Sequence, residues 1–125
     1  MMLEAKRMKK ILICEDEKDV IELLNNLLIK AGFEVHIAID GKEAVDKARK
    51  IKPDLLLLDI RMPKINGLEA AKLIRDFNRE VKIIFLTGFQ SQELLKEAAK
   101  YDISDYIVKN MSTKEILKVV QEAAK

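Results

Sequence analysis

The stretch Leu55-Leu56-Leu57-Leu58-Asp59-Ile60-Arg61-Met62-Pro63 runs four apolar residues into an acid and then into turn-forming residues. Such a run reads as a strand buried on both faces, and the acid at its end falls where an open parallel sheet binds its ligands. Outward from it, strand-like and helix-like patterns alternate. Lys10 to Cys14 precedes an apolar stripe at helical spacing, Val20, Ile21, Leu23, Leu24, Leu27, Leu28 and Ala31, which Gly32 ends. Phe33 to Ala38 alternates as an edge strand would, and Asp40-Gly41-Lys42-Glu43 resembles a capping box before a helix carrying Ala44, Val45 and Ala48.

After Pro53, Asp54 to Leu58 is the central strand, and Asn66 and Glu69 bracket the start of a third helix with Leu68, Ala71, Leu73, Ile74 and Phe77 on its apolar face. Val81 to Leu86 is a fourth strand, and Ser91 caps a fourth helix with Leu94, Leu95, Ala98 and Ala99. A short fifth strand, Tyr106 to Val108, leads to Ser112-Thr113-Lys114-Glu115, a capping box, and to the last stripe, Ile116, Leu117, Val119, Val120 and Ala123. Five strands alternating with five helices predict an α/β fold, a doubly wound parallel sheet with right-handed crossovers. The first, third and fourth strands are the most continuously apolar and belong inside, so the strand order is 2-1-3-4-5, the flavodoxin-like arrangement.

The chain has 125 residues, enough for one domain and too few for two. Charged residues make up 35% and apolar ones 49%, the balance of a folded globule, and a formal charge of +2 gives no argument for nucleic acid. No apolar stretch has the length of a membrane span, and Met1 to Lys10 lacks the apolar centre of a signal peptide, so the expected setting is the reducing cytoplasm. Cys14, alone of its kind and inside an apolar strand, reads as a small buried hydrophobe. His36, on the edge strand without a second metal ligand, reads as a half-exposed imidazole.

In this fold the crevice lies outside the carboxyl ends of the first and third strands, where the winding reverses. The polar residues expected there are Glu15, Asp16 and Glu17 after the first strand, Asp59 at the third, Thr87 after the fourth and Lys109 after the fifth. Gathered carboxylates resist ionising together unless a cation compensates them, and oxygen donors without His or Cys suit Mg²⁺. A hydroxyl and an ammonium facing such a cation make a cradle for a phosphoryl group, with an Asp as nucleophile.

Four pieces, Ile11-Leu12-Ile13-Cys14-Glu15-Asp16-Glu17, Leu57-Leu58-Asp59-Ile60-Arg61-Met62-Pro63 with Gly67 after it, Leu86-Thr87-Gly88, and Asp105-Tyr106-Ile107-Val108-Lys109, together resemble the receiver domain of two-component response regulators. The resemblance runs from Lys9 to Ala124, which makes residues 9–125 the receiver and 1–8 an N-terminal extension. It implies that Asp59 is the phosphoacceptor and that Glu15, Asp16 and Asp59 hold Mg²⁺ with the Arg61 main-chain carbonyl. Lys109 then contacts the phosphoryl, Thr87 is the switch hydroxyl and Tyr106 the switch aromatic. The implied partners are a sensor histidine kinase or histidine phosphotransfer protein as donor, and an effector protein reading the fourth helix, fifth strand and fifth helix, with neither nucleic acid nor membrane contacted directly. Such a protein promotes its own phosphorylation and slow dephosphorylation and is not a turnover enzyme. No output domain follows Lys125, which fits a stand-alone receiver or one taken from a longer regulator.

Three departures from the family pattern stand out. Asn110 replaces the proline that usually follows the lysine in a cis peptide, so a trans bond with a reshaped loop is expected, or a strained cis bond. Asp102-Ile103 replaces Gly-Ala, which places Ile103 as an apolar spot near Tyr106. Gly88 stands where Ala or Ser is usual and should open the phosphoryl site, with Arg61 and Phe89 flanking its entrance and setting the hydrolysis rate. A haloacid-dehalogenase phosphatase would need a second Asp at position 61, which is Arg, and a nucleotide-binding module would need a Gly-rich loop where Glu15-Asp16-Glu17 stands. A receiver-like module that binds partners without being phosphorylated is the remaining alternative.

Overall fold

The computed structural model describes residues 7–88, 96–97, 99–101, 103 and 105–125. Its elements follow in the order β1 (Lys10–Cys14), α1 (Lys18–Lys30), β2 (Glu34–Ala38), α2 (Gly41–Ile51), β3 (Leu55–Asp59), α3 (Gly67–Phe77), β4 (Lys82–Thr87), β5 (Asp105–Val108) and α4 (Thr113–Ala123). The five strands are parallel in the order β2-β1-β3-β4-β5, the arrangement the apolar runs predict. The helix expected from Ser91 lies largely outside the described residues, of which 96, 97 and 99 are helical; the label α4 here belongs to the C-terminal helix.

Strand alternation divides the interior into two layers. Leu12, Cys14, Leu56, Leu58, Ile83 and Phe85 face α2 and α3, whose Ala44, Ala48, Ala70, Ala71 and Ile74 complete that side. Ile11, Ile13, Leu55, Leu57, Ile84, Leu86 and Ile107 face α1 and α4, meeting Leu24, Leu28, Ile116 and Val120. All five β3 positions, Asp59 among them, are buried, so the apolar run is the centre of the sheet. β2 differs from its predicted alternation: Glu34 to Ile37 are all half-buried, because an edge strand is covered on one flank only. His36 pairs there with Glu34, Nε2 to Oε2 at 2.7 Å. Cys14 is fully enclosed, and burial pushes its thiol pKa far up, as a buried hydrophobe requires.

Helix boundaries follow the sequence closely. The Phe33 N–H bonds Leu28 O at 3.1 Å and the Gly32 N–H bonds Ile29 O at 3.0 Å, with Gly32 at φ 95°, a Schellman ending for α1. Asp40, Asn66 and Ser112 each accept the N–H three residues on, and at Ser112–Glu115 the box is reciprocal. At Asp40 only the forward half forms, since Glu43 pairs instead with Lys47 at 2.9 Å. No helix of the described residues is long and apolar enough to cross a membrane.

Candidate functional site

Parallel packing delivers the ends of β1, β3 and β4 and the residue after β5 to one edge of the sheet. Glu15 follows β1, its N–H bonded to Ala38 O at 3.0 Å, and its side chain turns fully inside. One carboxylate oxygen, Oε2, takes the N–H groups of Asp16 and Glu17, both at 3.0 Å. The other, Oε1, is buried and faces the Lys109 ammonium at 2.8 Å without an aligned hydrogen bond. Burial raises the Glu15 carboxyl pKa against the opposing pull of Lys109 and the Glu17 N–H.

Asp59 closes β3 at 3% exposure; its Oδ1 accepts the Arg61 N–H at 2.9 Å and its Oδ2 accepts from Lys109 Nζ at 3.0 Å. Lys109 is held at its main chain, where its N–H bonds Thr87 O at 2.8 Å, and its Nζ also donates to Glu17 Oε1 at 2.9 Å. The ammonium is thus gripped by three carboxylates. Burial alone would lower its pKa, but the close carboxylates of Glu15, Glu17 and Asp59 outweigh that and lift it well above the ordinary lysine value. Thr87 ends β4 and is buried beside it.

The sequence-predicted set therefore converges, with one rearrangement. Glu15, Asp59, Thr87 and Lys109 meet as expected, whereas Asp16 is exposed, and the oxygens lying within 4.8 Å of one another are those of Glu15, Glu17 and Asp59. Three oxygen donors, one of them a buried carboxylate atom without a hydrogen bond, fit a hard divalent cation. The turn after β3 is pinned from both sides: Gly67 N–H bonds Ile60 O at 2.8 Å, and Asp40 pairs with Lys64 at 3.3 Å. Lys64 itself has φ 68°, in the left-handed region.

The departures resolve separately. The Lys109–Asn110 peptide is trans, there being no cis bond among the described residues. Gly88 is exposed, and a Cβ placed on it meets no described atom within 4 Å, so nothing among the described residues closes the entrance there. Phe89 and Asp102 lie outside the described residues. Ile103 is half-buried and packs, with Tyr101 and Tyr106, against the α2–α3 side of the core, in one cluster with Tyr106 as expected.

The response regulator receiver domain matches residues 11–121 of the chain. This chain belongs to the receiver-domain family. The receiver is 41% identical over 115 residues to transcriptional regulatory protein LnrK of Bacillus subtilis, covering 90% of this chain and 52% of that protein. It is 34% identical over 118 residues to chemotaxis protein CheY of Thermotoga maritima, covering 94% of this chain and 98% of the relative. The chain thus spans about half of the first regulator and nearly all of the second. Among solved structures, the receiver domain of sensor histidine kinase PA1611 from Pseudomonas aeruginosa has a magnesium ion coordinated in its active-site cleft. It aligns with a TM-score of 0.86 at 28% identity, covering 94% of this chain and 98% of that one.

Within this receiver the sequence left two features unassigned. Glu17 is placed among the converging acids but given no role, although the acidic triplet itself was the signal. Gly41 and Gly67, each opening a helix, abut the backbone of the turn after β3: a Cβ would stand 1.8 Å from Ile65 O at the first and 2.2 Å from Asp59 O at the second.

Proposed function

We propose that Asp59 is the phosphoacceptor of this receiver, taking a phosphoryl group from a phosphohistidine of a sensor kinase or histidine phosphotransfer protein in the cytoplasm. The observation that carries the reading is the Lys109 ammonium 3.0 Å from a nearly enclosed Asp59 carboxylate, beside the buried Glu15. An Asp59 oxygen forms the new bond to phosphorus as the phosphorus–nitrogen bond of the donor breaks, and the imidazole nitrogen keeps the electron pair. Lys109 and the Thr87 hydroxyl meet the negative charge on the transferred oxygens. Glu15 and Asp59, with Asp16 turning in from its exposed position and the Arg61 carbonyl, are the residues to hold Mg²⁺, which when bound offsets the gathered carboxylates and the incoming phosphoryl charge. Hydrolysis reverses the gain: water attacks phosphorus and the Asp59 carboxylate leaves.

The added charge and acceptor oxygens draw Thr87 toward the phosphoryl, leaving room that Tyr106 fills, and the helix expected from Ser91, with β5 and α4, presents the result to an effector protein. The test is incubation with phosphoramidate and Mg²⁺ followed by intact mass. One added phosphoryl is expected in the native protein and none in Asp59→Asn. No adduct on the native chain, or an equal one on the variant, overturns the reading and leaves a receiver-like module that works through contact alone.

A further inference from the structure

We propose that Glu17 is a positioning residue for this reaction, the carboxylate that Lys109 gives up in order to reach the phosphoryl group; the inference rests on Asp59 being the phosphoacceptor. An ammonium has three donors and no acceptor, and three carboxylates already crowd this one at 2.8, 2.9 and 3.0 Å. Two of its donors are committed, to Glu17 and to Asp59, and Glu15 Oε1 crowds the third side, so a phosphoryl oxygen reaching this ammonium displaces a carboxylate that holds it. Glu15 is not the one released: it is wholly buried, fixed by two main-chain N–H groups, and its charge has no water to turn to. Asp59 carries the phosphoryl itself. Glu17 has a side chain 62% exposed, so its carboxylate returns to water at little cost.

Glu17 therefore competes with the phosphoryl group for Lys109, and its strength as a competitor sets both the ease of phosphorylation and the lifetime of the product. The effect differs in sign from that of a metal ligand or a structural acid at the same place. Loss of a metal ligand weakens binding at the site, and loss of a structural contact loosens it, whereas loss of a competitor strengthens it.

The experiment compares the native protein, Glu17→Gln and, as a control for charge, Glu22→Gln on the exposed face of α1. Two quantities are read with saturating Mg²⁺ at low ionic strength: the affinity for beryllofluoride, a phosphoryl mimic, by calorimetry, and the half-life of the phosphorylated protein by intact mass. Glu17→Gln is expected to bind beryllofluoride about threefold more tightly and to keep its phosphoryl longer by a similar factor, the scale of an exposed ion pair. Glu22→Gln is expected to match the native protein. Unchanged or weaker binding in Glu17→Gln, or an equal gain in Glu22→Gln, overturns the role of Glu17. Absence of any phosphoryl adduct on the native protein overturns instead the reading of Asp59.

Discussion

The main-chain oxygen of Asp59 lies so near the α-carbon of Gly67 that a Cβ there would stand 2.2 Å from it. Both partners are backbone, so no side chain can swing aside to relieve the contact. Gly67→Ala is expected to push the end of β3 and the start of α3 apart, costing about 1–3 kcal/mol of stability, as overpacking does. Because the displaced atom belongs to Asp59, phosphorylation should fall at least tenfold even at temperatures where the variant is folded. Thermal melting and adduct formation by intact mass check the two halves; native-like values for both would show that the contact relaxes freely.

Gly41 and Gly88 should behave as opposites. A Cβ at Gly41 meets Ile65 O at 1.8 Å and Ile65 C at 2.6 Å, so Gly41→Ala must move the turn that carries Arg61 and Lys64. At Gly88 the same atom meets nothing described within 4 Å, and Gly88→Ala should stay within about 0.5 kcal/mol of the native stability. Denaturant midpoints distinguish them. A loss at Gly88 comparable to that at Gly41 would contradict the account of an open entrance.

Asp40 links pH to the same turn. Its carboxyl is held below the usual range by the Glu43 N–H and by Lys64, so it contributes stability above the ordinary aspartate pKa and loses it as pH falls through the lowered folded value. Asp40→Asn keeps a capping oxygen without the charge. The gap between native and Asn variant should be widest near neutrality and close in acid, while Asp40→Ala should lose about 1 kcal/mol more by surrendering the cap. Urea midpoints from pH 7 down to pH 3 give the comparison; a gap that grows in acid would reverse the sign.

How far the sequence could be read depended on which interactions set each feature. Strand order was legible because burial on two faces writes an apolar run, as in Leu55 to Leu58, and helix starts were legible because caps are local, as at Asn66 and Ser112. The convergence of Glu15, Asp59, Thr87 and Lys109 followed from topology alone. Which of Asp16 and Glu17 joins Glu15 in facing Lys109 did not, since the two are adjacent and their directions are set by the path of the chain out of β1 into α1. The tight contacts of Gly41 and Gly67 are tertiary, between elements distant in sequence, and no local pattern records them. Ile103 does join Tyr106 on the same side of the core, half-buried, but how much of one apolar residue near a strand end stays exposed depends on what packs over it, which no local pattern records.

Removing the Lys109 ammonium should expose how the carboxylates depend on it. Glu15 is fully buried, and Lys109 Nζ at 2.8 Å is the cation facing it, so Lys109→Ala leaves a buried negative charge uncompensated. Without metal at neutral pH the variant should lose about 3 kcal/mol, the low end for breaking a buried pair because the lysine is partly open to water. Burial holds the Glu15 pKa above the ordinary value, so the charged form is the costly one: the loss should shrink as pH falls and Glu15 takes up a proton, and grow as pH rises through the raised value. The same ammonium repels a dication and stands against the carboxylates that would hold it. Mg²⁺ should therefore raise the melting temperature of Lys109→Ala by more than it raises that of the native protein, because a ligand stabilises in proportion to its affinity for the folded state. Melts with Mg²⁺ and with a chelator, at two pH values, measure all three effects. An equal or smaller Mg²⁺ increment in the variant would mean that Lys109 and the cation do not contend for the same carboxylates.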